Sequence, residues 1–225
     1  MKRIVLIFIA TLIAIPLQAQ RIEAYLSLGA ITSQVEGDEL KGFSHWGING
    51  GVGAWIKLDD RGTWGLSVET DYSCRGIFNN SGSAENYYNI DLDLHYIDIP
   101  LTAFFRDPYG GLKIGAGIVY SRLVSQPHGY IRYTPTYFIP DTSDMQFLKN
   151  DIAVAAEARF AIWKGLQFSA RFQYSIIPVK KDWHFTMQDE SWANNCYNSS
   201  LTLRLIWQFG YDEQTSRHKK TSRYR

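Results

Sequence analysis

From Ile22 onward the chain alternates. Over residues 22–30 the apolar or small residues Ile22, Ala24, Leu26, Leu28 and Ala30 are separated by Glu23, Tyr25, Ser27 and Gly29. A period of two predicts a strand whose two faces meet unlike surroundings. The same alternation runs through residues 48–58, 64–72, 112–120, 152–162, 166–176 and 201–211. In these segments the charged residues Glu23, Lys57, Glu69, Asp71, Lys113, Glu157, Arg159, Arg171 and Arg204 all fall on one parity, and the other parity carries no charge. An eighth segment, residues 90–105, changes phase. Ile90, Leu92, Leu94 and Tyr96 are even, whereas Ile97, Ile99, Leu101 and Ala103 are odd. A β-bulge near Tyr96 and Ile97 would restore one apolar face. It would place Asp91, Asp93, His95, Asp98 and Thr102 together on the other. Pro100, which cannot donate to a ladder, suits such an irregular strand.

One dry face is also what a soluble sandwich offers. Three features favour a lipid-facing one. The connections at 59–63, 107–111 and 163–165 are tight, whereas those at 33–46, 76–88, 125–150 and 179–195 are long. Short turns at one end and long loops at the other are the asymmetry of an outer-membrane barrel. Gly29, Gly51, Gly53, Gly65, Gly115, Gly117, Ala153 and Ala155 lie on the charged parity, where a narrow lumen needs small side chains. Trp64, Tyr72, Tyr120, Tyr174, Trp207 and Tyr211 lie on the apolar parity near strand ends, where interfacial girdles sit. The expectation is an all-β, eight-stranded antiparallel up-and-down transmembrane β-barrel with short periplasmic turns and long extracellular loops. It would occupy residues 20–211, with both ends periplasmic.

The flanking segments fit that reading. Met1, Lys2 and Arg3 precede an apolar run from Ile4 to Pro16, and Ala19 ends a small-residue site, so residues 1–19 read as a signal peptide. The run is short for a spanning helix, and no cysteine follows the cleavage site to carry a lipid. Residues 212–225 hold Arg217, Lys219, Lys220, Arg223 and Arg225, and read as a disordered basic periplasmic tail. The 225 residues carry a net charge of +1, which gives no footprint for nucleic acid. Two cysteines exclude a disulfide-dense scaffold.

Candidate chemistry is confined to clusters. Glu69, Asp71, Asp91, Asp93, His95, Asp98, Glu157, Arg159, Arg171 and Arg204 are expected to form a polar network inside the barrel, because buried charges must pair. The same network read as a narrow ion path is the competing use. Asp91, Asp93 and His95 could hold a divalent cation, but their spacing does not itself make a site, and pairing with the arginines is preferred. Tyr130, Tyr133, Tyr137, Phe138, Trp183 and Trp192 lie in the two longest loops. They form either a binding surface or a cap over the barrel mouth. Cys74 and Cys196 fall on strands that are not neighbours and face opposite ways, which disfavours a disulfide. No nucleophile elbow, zinc-protease helix or phosphate-binding loop occurs, so no catalytic, cofactor-binding or metal-ligating residue is assigned.

Residues 94–101, Leu-His-Tyr-Ile-Asp-Ile-Pro-Leu, form a strand with an aromatic, an acid and a proline. Residues 112–117, Leu-Lys-Ile-Gly-Ala-Gly, give a glycine-marked strand after it, and Glu69, Tyr72 and Gly76 mark a third. Together these stretches resemble the PorT-like outer-membrane β-barrel family common in Bacteroidetes. The basic tail departs from that family's usual ending at the last strand. The resemblance implies an integral outer-membrane barrel without a cofactor, some of whose relatives assist secretion or assembly machinery. It supplies no catalytic residues. The functional expectation is a monomeric, non-enzymatic anchor in the outer membrane of a Gram-negative bacterium. It would contact lipid, present loops and work within a secretion or envelope complex. A small-solute channel and a soluble β-barrel binding protein are the alternatives.

Overall fold

The computed structural model describes residues 22–38, 42–59, 61–82, 87–107, 111–133, 139–140, 146–187 and 190–209. The expected signal peptide and basic tail, and with them Tyr211, Tyr137 and Phe138, lie outside the described residues. Among the described residues eleven strands form: β1 (Ile22–Glu36), β2 (His45–Lys57), β3 (Trp64–Gly82), β4 (Tyr87–Arg106), β5 (Lys113–Leu123), β6 (His128–Tyr133), β7 (Ile139–Pro140), β8 (Asn150–Trp163), β9 (Leu166–Ser175), β10 (Lys180–Met187) and β11 (Glu190–Gln208). Eight of them close a ring in the order β1-β2-β3-β4-β5-β8-β9-β11, and β11 pairs back onto β1. Every pairing in the ring is antiparallel, and the ring strands follow one another in chain order until β11 closes onto β1. The other three strands sit above one end. β6 pairs with β4, and β10 joins β11 to β7.

Closure removes every sheet edge from the ring, which an apolar environment requires because it offers no partner to an open N–H or C=O. At the tight-turn end, the Trp64 N–H donates to Asp59 Oδ1 at 2.7 Å. That bond holds the Asp59 carboxyl below its ordinary value. Gly62 completes this turn in the left-handed region (φ 63°), where a side chain would be strained.

The alternation resolves into an inside and an outside. Leu26, Leu28, Ile48, Val52, Ile114, Ile118, Leu203 and Leu205 are exposed, whereas Ser67, Glu69, Asp71, Glu157, Arg159, Arg171 and Arg204 are buried. This is the reverse of a water-soluble domain. Trp64, Trp163 and Trp207 are exposed at one end of the apolar belt, and Tyr72, Tyr120 and Tyr174 lie at the other. Between Trp64 and Tyr72 the strand climbs roughly 20 Å at about 3.3 Å per residue and a tilt near 40°.

Above the tyrosines the strands do not stop, and their polarity inverts. In β4 the even residues Ile90, Leu92, Leu94, Tyr96, Asp98, Thr102 and Phe104 are buried in one continuous series. The β3–β4 and β4–β5 registers pass through Tyr96 and Ile97 without a shift. The expected β-bulge is therefore absent. The phase change marks the height at which the surroundings change from lipid to water. Below it apolar residues face out. Above it they face in, and Val35, Ile77, Ile90, Leu92, Leu94, Leu123, Phe147, Val179, Trp183 and Phe185 form an ordinary buried core. β1 inverts at the same height, from exposed Leu28 to buried Ile31 and Val35.

Candidate functional site

The lower interior is built around six ionised groups contributed by four strands. Alternation brings Glu69 and Asp71 of β3, Glu157 and Arg159 of β8, Arg171 of β9 and Arg204 of β11 onto the inner face. Three cations meet three anions. Arg171 Nη2 lies 2.7 Å from both Glu69 Oε1 and Glu157 Oε2, its Nε donates to Glu157 Oε2 at 2.8 Å, and its Nη1 donates to Asp71 Oδ2 at 3.1 Å. Arg204 Nη1 reaches Glu69 Oε2 at 2.8 Å and Asp71 Oδ2 at 3.0 Å, while its Nη2 reaches Glu157 Oε1 at 2.9 Å. Arg159 Nε bonds Glu157 Oε1 at 2.6 Å, and its Nη2 pairs with Glu69. β9 stands opposite β3 in the ring, with β8 and β11 on either side of it, so the bonds from β3 to these strands cross the lumen.

Aromatic rings pack beneath and beside this layer. The Arg159 guanidinium lies 4.5 Å from the Phe104 ring centroid and 5.1 Å from that of Tyr25. Tyr25 Oη donates to Glu69 Oε1 at 2.7 Å. The glycines make room for these rings. A Cβ on Gly53 would stand 2.4 Å from the Tyr25 ring, and one on Gly65 would stand 2.1 Å from Trp55. Lys113 Nζ sits 4.2 Å above the Trp55 ring, and Lys57 pairs with Glu23 at the lower rim. A second polar layer lies higher. Arg75 pairs with Asp98, and Ser73 Oγ donates to Asp98 Oδ2 at 2.7 Å. Asp151 accepts from Ser175 Oγ at 2.7 Å and lies 3.8 Å from Arg75 Nη1.

Of the residues expected inside, Glu69, Asp71, Asp98, Glu157, Arg159, Arg171 and Arg204 are buried in the lumen. Asp91, Asp93 and His95 are not, and this corrects the expectation. Without a bulge they keep their odd parity and lie on the outer face above the lipid belt. Their neighbours are Tyr72, whose Oη is 2.7 Å from His95 Nδ1, and His45, whose Nε2 is 2.8 Å from Asp93 Oδ1.

The loop aromatics divide. Tyr130 is 47% exposed on β6. Tyr133 and Trp192 are partly buried against the upper core, and Trp183 is 1% exposed within it. Trp183 is thus core and not an open binding surface. Its indole meets Phe185 at 5.1 Å and Phe147 at 6.2 Å between centroids. It is held because β10 pairs with β11 as a hairpin, which the alternation between residues 179 and 195 was too short and too aromatic to reveal. Cys196 is buried inside and Cys74 is half-buried, and both remain thiols. The inward Arg75 and Asp151 join the interior by parity alone, a signal the sequence carries.

A closed ring of eight antiparallel strands, apolar outside and ionised inside, defines a small outer-membrane β-barrel. The chain belongs to the family described as "Outer membrane protein beta-barrel domain", whose model matches residues 5–209. It is similar to Neisserial surface protein A at 12% identity, with a TM-score of 0.47, covering 83% of this chain and 97% of that one. It is also similar to Ail of Yersinia pestis, solved with the heparin analogue sucrose octasulfate, at 16% identity, with a TM-score of 0.43 and coverage of 84% and 99%. For OprG of Pseudomonas aeruginosa the identity is 11%, the TM-score 0.40 and the coverage 83% and 95%. No curated protein matches the chain. The protein resides in the outer membrane of a Gram-negative bacterium, with lipid around its apolar belt.

Proposed function

We propose that this chain is a monomeric, non-enzymatic and non-conducting anchor, whose barrel holds a folded β-extension above the outer membrane for other envelope proteins to use. The observation that carries this reading is the set of ion pairs crossing the lumen from β3 to β8, β9 and β11. Three guanidinium groups tied to three carboxylates fill the section that a permeating solute would have to pass, and eight strands leave room for little more. The upper core, closed by Trp183, Phe147 and Phe185, adds an apolar layer above it. Within the barrel family we place the chain in the PorT-like branch, on the strand motifs around Pro100, Gly115 and Glu69, and its partners would then belong to a secretion or assembly complex.

Planar-bilayer recording tests the non-conducting reading. The purified barrel should insert and give a flat trace at all voltages. Reproducible conductance steps from the wild-type chain would replace the anchor with the second reading, a narrow ion path, which the two polar layers of the lumen favour.

A further inference from the structure

The outer rim carries a cluster that the anchor role does not use. His45 opens β2, Cys74 lies in β3 and Asp93 lies in β4. One ligand-type atom from each lies within 4.8 Å of the other two. Cys74 Sγ is 3.6 Å from Asp93 Oδ1, and His45 Nε2 is 2.8 Å from the same oxygen. Imidazole, thiol and carboxylate are the donors of zinc-class sites. In a tetrahedral site with bonds of about 2.0–2.3 Å, neighbouring donors stand roughly 3.3–3.7 Å apart. The cluster is within about 1 Å of that arrangement.

The surroundings prepare the histidine. Ser33 Oγ lies 3.4 Å from His45 Nδ1 and also binds the Gly76 N–H at 2.9 Å. Once a metal replaces the proton between Nε2 and Asp93, Nδ1–H donates to Ser33, and such a second-shell hydrogen bond fixes the metal-binding tautomer. Gly76 supplies the space, because a Cβ there would stand 2.7 Å from Nε2. His95 is paired opposite Cys74, but its Nδ1 is engaged by Tyr72 Oη at 2.7 Å. The Asp93 side chain is 47% exposed, so the cluster opens to the outside medium.

We propose that His45 Nε2, Cys74 Sγ and an Asp93 carboxylate oxygen form a surface site for a borderline divalent transition-metal ion of the zinc class, with the fourth position open to water. Binding displaces one proton from Cys74 Sγ and the proton that His45 Nε2 shares with Asp93, with no change in oxidation state. Affinity therefore falls as pH drops.

Cobalt(II) is the probe, added to the untagged protein folded in detergent. The wild type should develop intense visible bands of a tetrahedral ion and a near-ultraviolet thiolate-to-cobalt charge-transfer band, both bleached by zinc(II). Cys74→Ser should remove the charge-transfer band, and Cys196→Ser should leave it unchanged. Asp93→Asn, a change at a half-exposed side chain, should weaken binding by more than about tenfold. His45→Ala should do the same, and heat-modifiable gel mobility confirms that each variant is folded. A wild type without the charge-transfer band overturns the proposal. So does a band that follows Cys196, or Asp93→Asn binding as tightly as the wild type.

Discussion

Arg204 illustrates why the lumen is filled with charge and what that charge contributes. It is 1% exposed and touches Glu69, Asp71 and Glu157. Desolvating such ions is costly, so a complete network adds little stability over an apolar filling of the same shape. Removing one partner is different, because the rest of the network then holds an uncompensated charge. Arg204→Met should therefore lower stability by about 3–5 kcal/mol while leaving the protein in the membrane. Asp71→Asn removes one of the anions that Arg204 neutralises. In the double variant the two losses should sum to more than the measured loss, with a coupling on the order of 1 kcal/mol or more. Urea unfolding in detergent, followed by gel mobility, gives the full cycle. Strict additivity would show that the two groups do not share one network. The glycines belong to the same scale. Gly65→Val would drive a side chain into Trp55, which no flexible atom nearby can relieve.

At the level of elements, the upper core behaves as an ordinary soluble fold built on strands that begin in lipid. Trp183 of β10 is its largest buried residue, packed on Phe147, Phe185 and, through Lys180 Nζ at 5.6 Å, a cation. Trp183→Ala should cost about 3–5 kcal/mol of local stability. Because the ring below keeps all of its pairings, the loss should appear as faster amide exchange and proteolysis in β10 and around Phe147. The heat-modifiable shift of the barrel should stay intact. Loss of that shift in Trp183→Ala would mean that the two zones fold as one unit. This division also explains what could be read in advance. Period two in residues 22–30, 152–162 and 201–211 exposes the ring, because each strand crosses one uniform environment there. Residues 90–105 carry the same pattern across two environments. A phase change of apolar residues arises equally from an inserted residue and from an inversion of the solvent, and a single strand does not distinguish them. The neighbours do. Ile31 and Val35 in β1, and Ile77 in β3, change phase at the matching height, whereas a bulge would be local to one strand. The rim cluster was illegible for another reason. His45, Cys74 and Asp93 come from three strands, and no spacing along the chain links them.

Across the whole molecule, the position of the polarity inversion fixes how the barrel sits. The tryptophan ends of the ring and the tight turns share one side. β6, β7 and β10 share the other, so the extension projects outward and the turns face the periplasm. Three positions sample the three zones: Tyr130 on β6, Leu205 in the apolar belt, and Arg61 in the turn after β2. Each can be replaced by cysteine in a chain with Cys74→Ser and Cys196→Ser. An impermeant maleimide added to intact cells should label Tyr130→Cys at once. Arg61→Cys should react only after the outer membrane is permeabilised. Leu205→Cys, although its leucine is 52% exposed, should resist in both conditions, because its exposure is to hydrocarbon and a charged reagent does not enter it. Labelling of Leu205→Cys in intact cells as fast as Tyr130→Cys would mean that the apolar face meets water. Labelling of Arg61→Cys before permeabilisation would turn the barrel upside down.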